Sequence, residues 1–227
     1  MSKSGRMFLR GGEIVVVSST GGSGSPAEQL EQAVAECSAA LSAEGLSASD
    51  LALVRLWMND RDSAAQFNDV RDALLRRAHR AASSSFFSRN RMEKDGVVAV
   101  EFYAVRARDA SSRRIVDFDP PRRYAHYLCV DDWLFLSGMA EEGETMDLQF
   151  DRAFAQVQAA LDAEGLSWDN VCSASLFLQK GQAAPDWMLD RFRWAAPIQP
   201  PVVTFEIVDE LANTPKHLEI EVIARRS

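Results

Sequence analysis

The segment Leu218-Glu219-Ile220-Glu221 puts two carboxylates on one face of an alternating run. A carboxyl set among apolar strands loses hydration. Its pKa then rises towards neutrality, where it can give or take a proton. Glu219 is therefore the leading candidate for general acid or base work, positioning a water or protonating a carbon. Glu206, on the segment expected to pair with it, carries a weaker claim. His126 is a proton carrier by type. Tyr124 lies two residues before it, on the same face of an expected strand, and offers a phenolic donor. Ser137 offers a hydroxyl, but it has no His–Asp partner in a recognisable nucleophile pattern, so covalent catalysis is not expected. His79, His126 and His217 are too scattered for a metal ligand set. Cys37, Cys129 and Cys172 are odd in number and form no CxxC, as expected of reduced thiols in a cytoplasmic protein.

These residues must be held by elements, and the clearest organisational signal is a repeat. Ala39–Ser47 reads AALSAEGLS and Ala159–Ser167 reads AALDAEGLS, at an offset of 120. The offset persists to the last strand, where Glu101 matches Glu221 and Ala104 matches Ala224. This predicts two tandem α+β units, residues 1–108 and 124–227, joined by a charged, Pro-containing linker over 109–123. In the first unit, Glu13–Ser19 reads as a buried strand. Ser25 and Pro26 read as an N-cap and first helical residue. Leu30, Val34, Cys37 and Leu41 form one helical stripe, and Gly45 ends it. Leu51–Met58 reads as a strand and Ser63 begins a second helix. Phe86–Met92 and Val97–Ala104 read as a hairpin around residues 93–96. The second unit repeats the plan from Tyr124–Val130 to Leu218–Ala224. Two helices cover only one face of each sheet, so the other face is expected to be buried by association.

Composition bounds the function. Hydrophobic residues make up 47% and charged residues 26% of 227, the profile of a globular protein. A net charge of −8 argues against general nucleic-acid binding, which needs clustered Lys and Arg. No segment is apolar enough for a signal peptide or membrane span, so a soluble cytoplasmic protein is expected.

The strand-ending WLFLSG, the last strand LEIEVIARR, and the helix-end-to-strand segments GLSWDNVCSASLFL and GLSASDLALVRLWMND resemble the YjgF-like reactive-intermediate deaminase (Rid) family, in both repeats. The resemblance implies mixed sheets with two helices on one face, a trimer-type barrel with clefts between units, and hydrolysis of imines or enamines without metal or organic cofactor. It implies a small, carboxylate-bearing substrate and a homotrimer. Tyr124, Ser137, Gly138 and Glu219 fall at the family's site positions, with His126 beside them. Asn68 matches the helix asparagine, and Met188 is its counterpart. The family arginine does not survive: Val202 stands in one loop and Ser84 in the other. Arg89, Arg91, Arg191 and Arg193 are the candidate replacements. The expected function is a Rid-type enzyme hydrolysing or tautomerising an imine, enamine or related unsaturated acid. A chorismatase-like enzyme and a non-catalytic metabolite-binding or scaffold protein are the alternatives.

Overall fold

Every long apolar run in the sequence becomes the middle of a sheet. The computed structural model describes residues 3–59, 61–77, 80–92, 96–212 and 215–226, leaving aside the side chains of 63–69, 77 and 110. The first module comprises strands β1 (Lys3–Leu9) and β2 (Gly12–Thr20), helix α1 (Pro26–Ala43), β3 (Leu51–Met58), α2 (Arg61–Arg77), β4 (Ala82–Phe87) and β5 (Val98–Ala104). The second carries β6 (Arg113–Val116), β7 (Tyr127–Val130), β8 (Trp133–Met139), α3 (Met146–Ala163), β9 (Val171–Gln179), α4 (Asp186–Ala195), β10 (Val202–Val208), β11 (Glu210–Leu211) and β12 (Leu218–Arg225).

Local chemistry sets the element ends. Ser25 and Glu28 form a reciprocal capping box at the start of α1, with Pro26 just inside the helix. The β1–β2 hairpin turns through Arg10 and Gly11, both at positive φ, as a two-residue turn of matching twist requires. Glycine carries that strain easily, while Arg10 is held there by hydrogen bonds to Val171 and Gln199 carbonyls of the second module.

Two six-stranded mixed sheets result, in the orders β1-β2-β5-β3-β4-β11 and β10-β9-β12-β8-β7-β6. The expected hairpin between Phe86–Met92 and Val97–Ala104 does not form. β4 ends at Phe87, a 3₁₀ turn takes Arg89–Arg91, and β3 lies between β4 and β5. α2 is a crossover that brings β4 back parallel to β3, so β5 enters on β3's other edge. Residues 93–95 lie outside the described residues. β1, β6 and β11 were not foreseen. β6 sits in the expected linker and pairs with β7, while β11 leaves its own module and pairs with β4.

The helices pack on the outer face of each sheet. Leu30, Cys37, Leu41, Val54 and Phe102 form one core, and Phe150, Val157, Trp168, Leu176 and Val222 the other. The remaining faces bury each other within the chain. Ile14, Leu53, Tyr103, Leu128, Trp133 and Phe135 form a shared core, and Trp57, Phe86, Phe177 and Val208 a second patch. The Phe86 and Phe177 rings stack 3.9 Å apart across the modules. The association expected of the bare sheets thus occurs inside one chain. Over these faces each module supplies the cover the other lacks.

Candidate functional site

Between the facing sheets runs a polar layer. β3 is apolar except for Arg55, and alternation aims Arg55 at the other module. There its Nε donates to Glu221 at 2.9 Å, and its Nη2 also contacts that carboxylate. Nη1 donates to Glu101 at 3.0 Å and to the Tyr103 hydroxyl at 2.5 Å, and Nη2 donates to Ser175 at 3.0 Å. Tyr103 donates on to Glu101 at 2.7 Å. Positions 55 and 175, and 101 and 221, are equivalents at the repeat offset, so the two copies meet at one guanidinium. Burial works against the Arg55 charge. Glu221, Tyr103 and Glu101 outweigh it and hold the pKa well above normal. Burial also pushes the Tyr103 phenol up, so it stays neutral.

Beside this layer, β4 meets β8. In β8, Ser137 and Gly138 together stand opposite Glu221, a bulge that turns the strand towards β4. Ser83 N–H donates to Ser137 Oγ at 2.9 Å, and Gly138 N–H donates to Ser84 Oγ at 3.1 Å. Ser84 Oγ donates to Glu221 at 2.8 Å, and Ser137 Oγ donates to the Ala125 carbonyl at 2.6 Å. Glu219 lies against Gly138, where an added Cβ would fall 1.7 Å from its Oε1. That oxygen is buried with no hydrogen-bond partner. Burial first, and then the Glu221 charge, push the Glu219 carboxyl up to about 8. It is therefore protonated through the neutral range. Glu219 and Glu221 share a face, as their alternation implied, and that face is the module seam.

The other sequence candidates scatter. Tyr124 packs on the edge of Phe118, near the first core. His126 also contacts Phe118, and burial followed by Arg122 lowers its pKa, so it is neutral. Neither hydrogen-bonds to Glu219. Arg193 pairs with Asp190 and Arg191 with Asp151 on the outer surface of α4, away from the seam. Met188 is core, and the Asn68 side chain lies outside the described residues. The Arg89 backbone is fixed by Asp209, with its side chain exposed. Arg91 is the candidate that reaches the space between modules. It grips Glu206 of β10 through two nitrogens, and its guanidinium lies 5.0 Å over the Trp57 ring. One correspondence needs correcting. Ala82 stands opposite Leu53 as Val202 stands opposite Ser173, so Val202's counterpart is Ala82, and Ser84 matches Thr204.

A cavity of about 400 Å³ opens where β10 faces the first module, lined by Arg55, Arg91, Tyr103, Ser175, Thr204 and Glu206. A smaller one of about 160 Å³ adjoins it, lined by Ser18, Thr20, Trp57, Ala99 and Glu101, and again by Arg91. Arg55, Glu101 and Tyr103 escaped selection from the sequence. A single charge in the apolar run LALVRLWM was the available signal for Arg55, and the match to Glu221 was the signal for Glu101. Among the described residues, no cluster of three or more His, Cys, Asp or Glu could hold a metal ion.

Residues 115–226 match the family described as endoribonuclease L-PSP, which is the YjgF family. The chain is built of two tandem YjgF-like units. The first module repeats the fold of the matched one. A YjgF family protein from Neisseria meningitidis is 26% identical, with 51% of this chain and 95% of that chain covered, at a TM-score of 0.43. A YjgF/YER057c/UK114 family member from Mycobacterium tuberculosis is 19% identical, with 51% and 100% covered, at 0.44. A chorismatase structure covers 93% of this YjgF-like chain and 74% of its own, with 14% identity and a TM-score of 0.58, which shows a shared two-module fold. No curated protein matches the chain. No helix among the described residues is long and apolar enough to cross a membrane.

Proposed function

We propose that this YjgF-like chain is a small-molecule enzyme that hydrolyses or tautomerises an imine, enamine or related unsaturated acid in the cavity between its modules. The observation that carries this reading is a partly enclosed cavity lined by the buried Arg55 guanidinium and the neutral Tyr103 phenol, with the carboxylates of Glu101 and Glu221 holding that guanidinium from behind. Ser175 and Thr204 add hydroxyls, and the Phe177 ring beneath the guanidinium keeps one wall apolar. Such sites, apolar with a few fixed polar groups, are the usual form of small-molecule pockets.

The chemistry asked of it is modest. Water must add to a C=N bond and a proton must reach the departing nitrogen, or a proton must move between nitrogen and carbon. Glu101 is placed for this. Its Oε2 accepts from Arg55 and Tyr103, which keep it oriented, and it lines the smaller cavity. Glu219, Ser137 and Tyr124 line neither cavity. The homotrimer that the resemblance implies belongs to this proposal as well, with β10's exposed Val202 and Ile207 as the surface available for it.

The test is ammonia release from freshly generated 2-imino acids. Glu101→Gln is expected to cut kcat about 100-fold or more, and Glu219→Gln to leave it near wild type. The reverse pattern would move the chemistry to the seam. Saturable ligand binding without turnover of any imine would make the chain a binding module. A second reading, action on chorismate, is favoured by the chorismatase match along nearly the whole chain, and chorismate consumption in the same assay decides it.

A further inference from the structure

The two arginines at the cavity are not equivalent, and burial decides which of them can change partners. Arg55 holds Glu101 and Glu221 with side chains 10%, 17% and 1% exposed. Removing it from either would strand a charge out of water, which is strongly unfavourable. Arg91 and Glu206 are 45% and 22% exposed, and exposed ion pairs contribute little because water replaces the partner. Their pairing is also intermodular: Arg91 comes from the turn after β4, Glu206 from β10. Arg91 forms part of the wall of both cavities, while Glu206 lines the larger one and Glu101 the smaller. The pair therefore stands as a partition between the chamber over Arg55 and the chamber containing the Glu101 carboxylate.

We infer that Arg91 and Glu206 form a gate, and that a substrate carboxylate opens it by taking Glu206's place on Arg91. The inference rests on the proposed use of this cavity and names the recognising group within it. A planar guanidinium held over an indole face is prepared for a two-point bond to any carboxylate. Exchanging one carboxylate for another costs little, and parting the pair joins the larger chamber to the smaller one, which Arg91 and Glu101 both line.

The test reads binding alone, using 2-oxobutanoate as the probe and 2-butanone as its uncharged control, followed by tryptophan fluorescence and by NMR shifts of the indole N–H signals. Glu206→Gln leaves Arg91 without its competitor and is expected to tighten 2-oxobutanoate binding about three- to fivefold, with 2-butanone unchanged. Arg91→Gln is expected to weaken 2-oxobutanoate at least about tenfold. Both side chains are partly exposed, and circular dichroism checks that the variants fold. Unchanged or weaker binding in Glu206→Gln, unchanged binding in Arg91→Gln, or no binding of the acid to any form would each overturn the gate. Loss of turnover in Glu101→Gln alongside any of those results would leave the proposed activity standing without it.

Discussion

Glu219 shows how a single residue can be read well for its pKa and still sit apart from the cavity. Its folded pKa is raised to about 8, above its ordinary value of 4.5. Between those values the unfolded chain has lost the proton and the folded chain keeps it. The folded state binds more protons, so stability falls as pH rises. The contribution is complete below about pH 4.5 and is lost as pH rises through about 8, amounting to on the order of 5 kcal/mol. Urea titrations across this range should show the decline, and Glu219→Gln, which keeps shape and neutrality, should flatten it. An unchanged slope in that variant would mean another group titrates. Its neighbour gives a steric counterpart. Gly138→Ala would drive a methyl into the Glu219 carboxyl, and a loss of about 1–3 kcal/mol is expected from denaturation midpoints.

At the scale of elements, the contact of β3 with β12 across the modules runs through one cation serving two carboxylates. Arg55→Met is expected to cost about 3–5 kcal/mol, because Glu101 and Glu221 are left buried without a counter-charge. Adding Glu221→Gln should recover part of that loss. A double variant as unstable as the sum of its singles would show that the three do not act as a unit. The same layer explains why the repeats diverged here. Ser175 occupies Arg55's equivalent position and hydrogen-bonds to it, where a second arginine would meet a like charge at close range.

For the whole molecule, the two modules share a core and are laced by one strand, since β11 of the second completes the sheet of the first. Urea unfolding should therefore show one transition, coincident by tryptophan fluorescence and circular dichroism. Two separated transitions would show that the seam is weaker than its packing implies. The second module made alone would expose Phe135, Phe177, Val208 and the Glu219–Glu221 face, and aggregation is the expected outcome.

The repeat, the helices, most strands and the shared face of Glu219 and Glu221 were legible in the sequence. Alternation, caps and a constant offset are local properties that survive without coordinates. The hairpin expected at Phe86–Met92 failed because strand order depends on which edge a distant segment finds, here β5 on the far side of β3. Tyr124, His126 and Arg193 were chosen by position and type, yet their neighbours, Phe118 and Asp190, are set by packing. Arg55, Glu101 and Glu221 come from three strands in two modules. Only the docking of one sheet on the other brings them within hydrogen-bonding distance, because the attraction that joins them acts through space and has no spacing along the chain to reveal it.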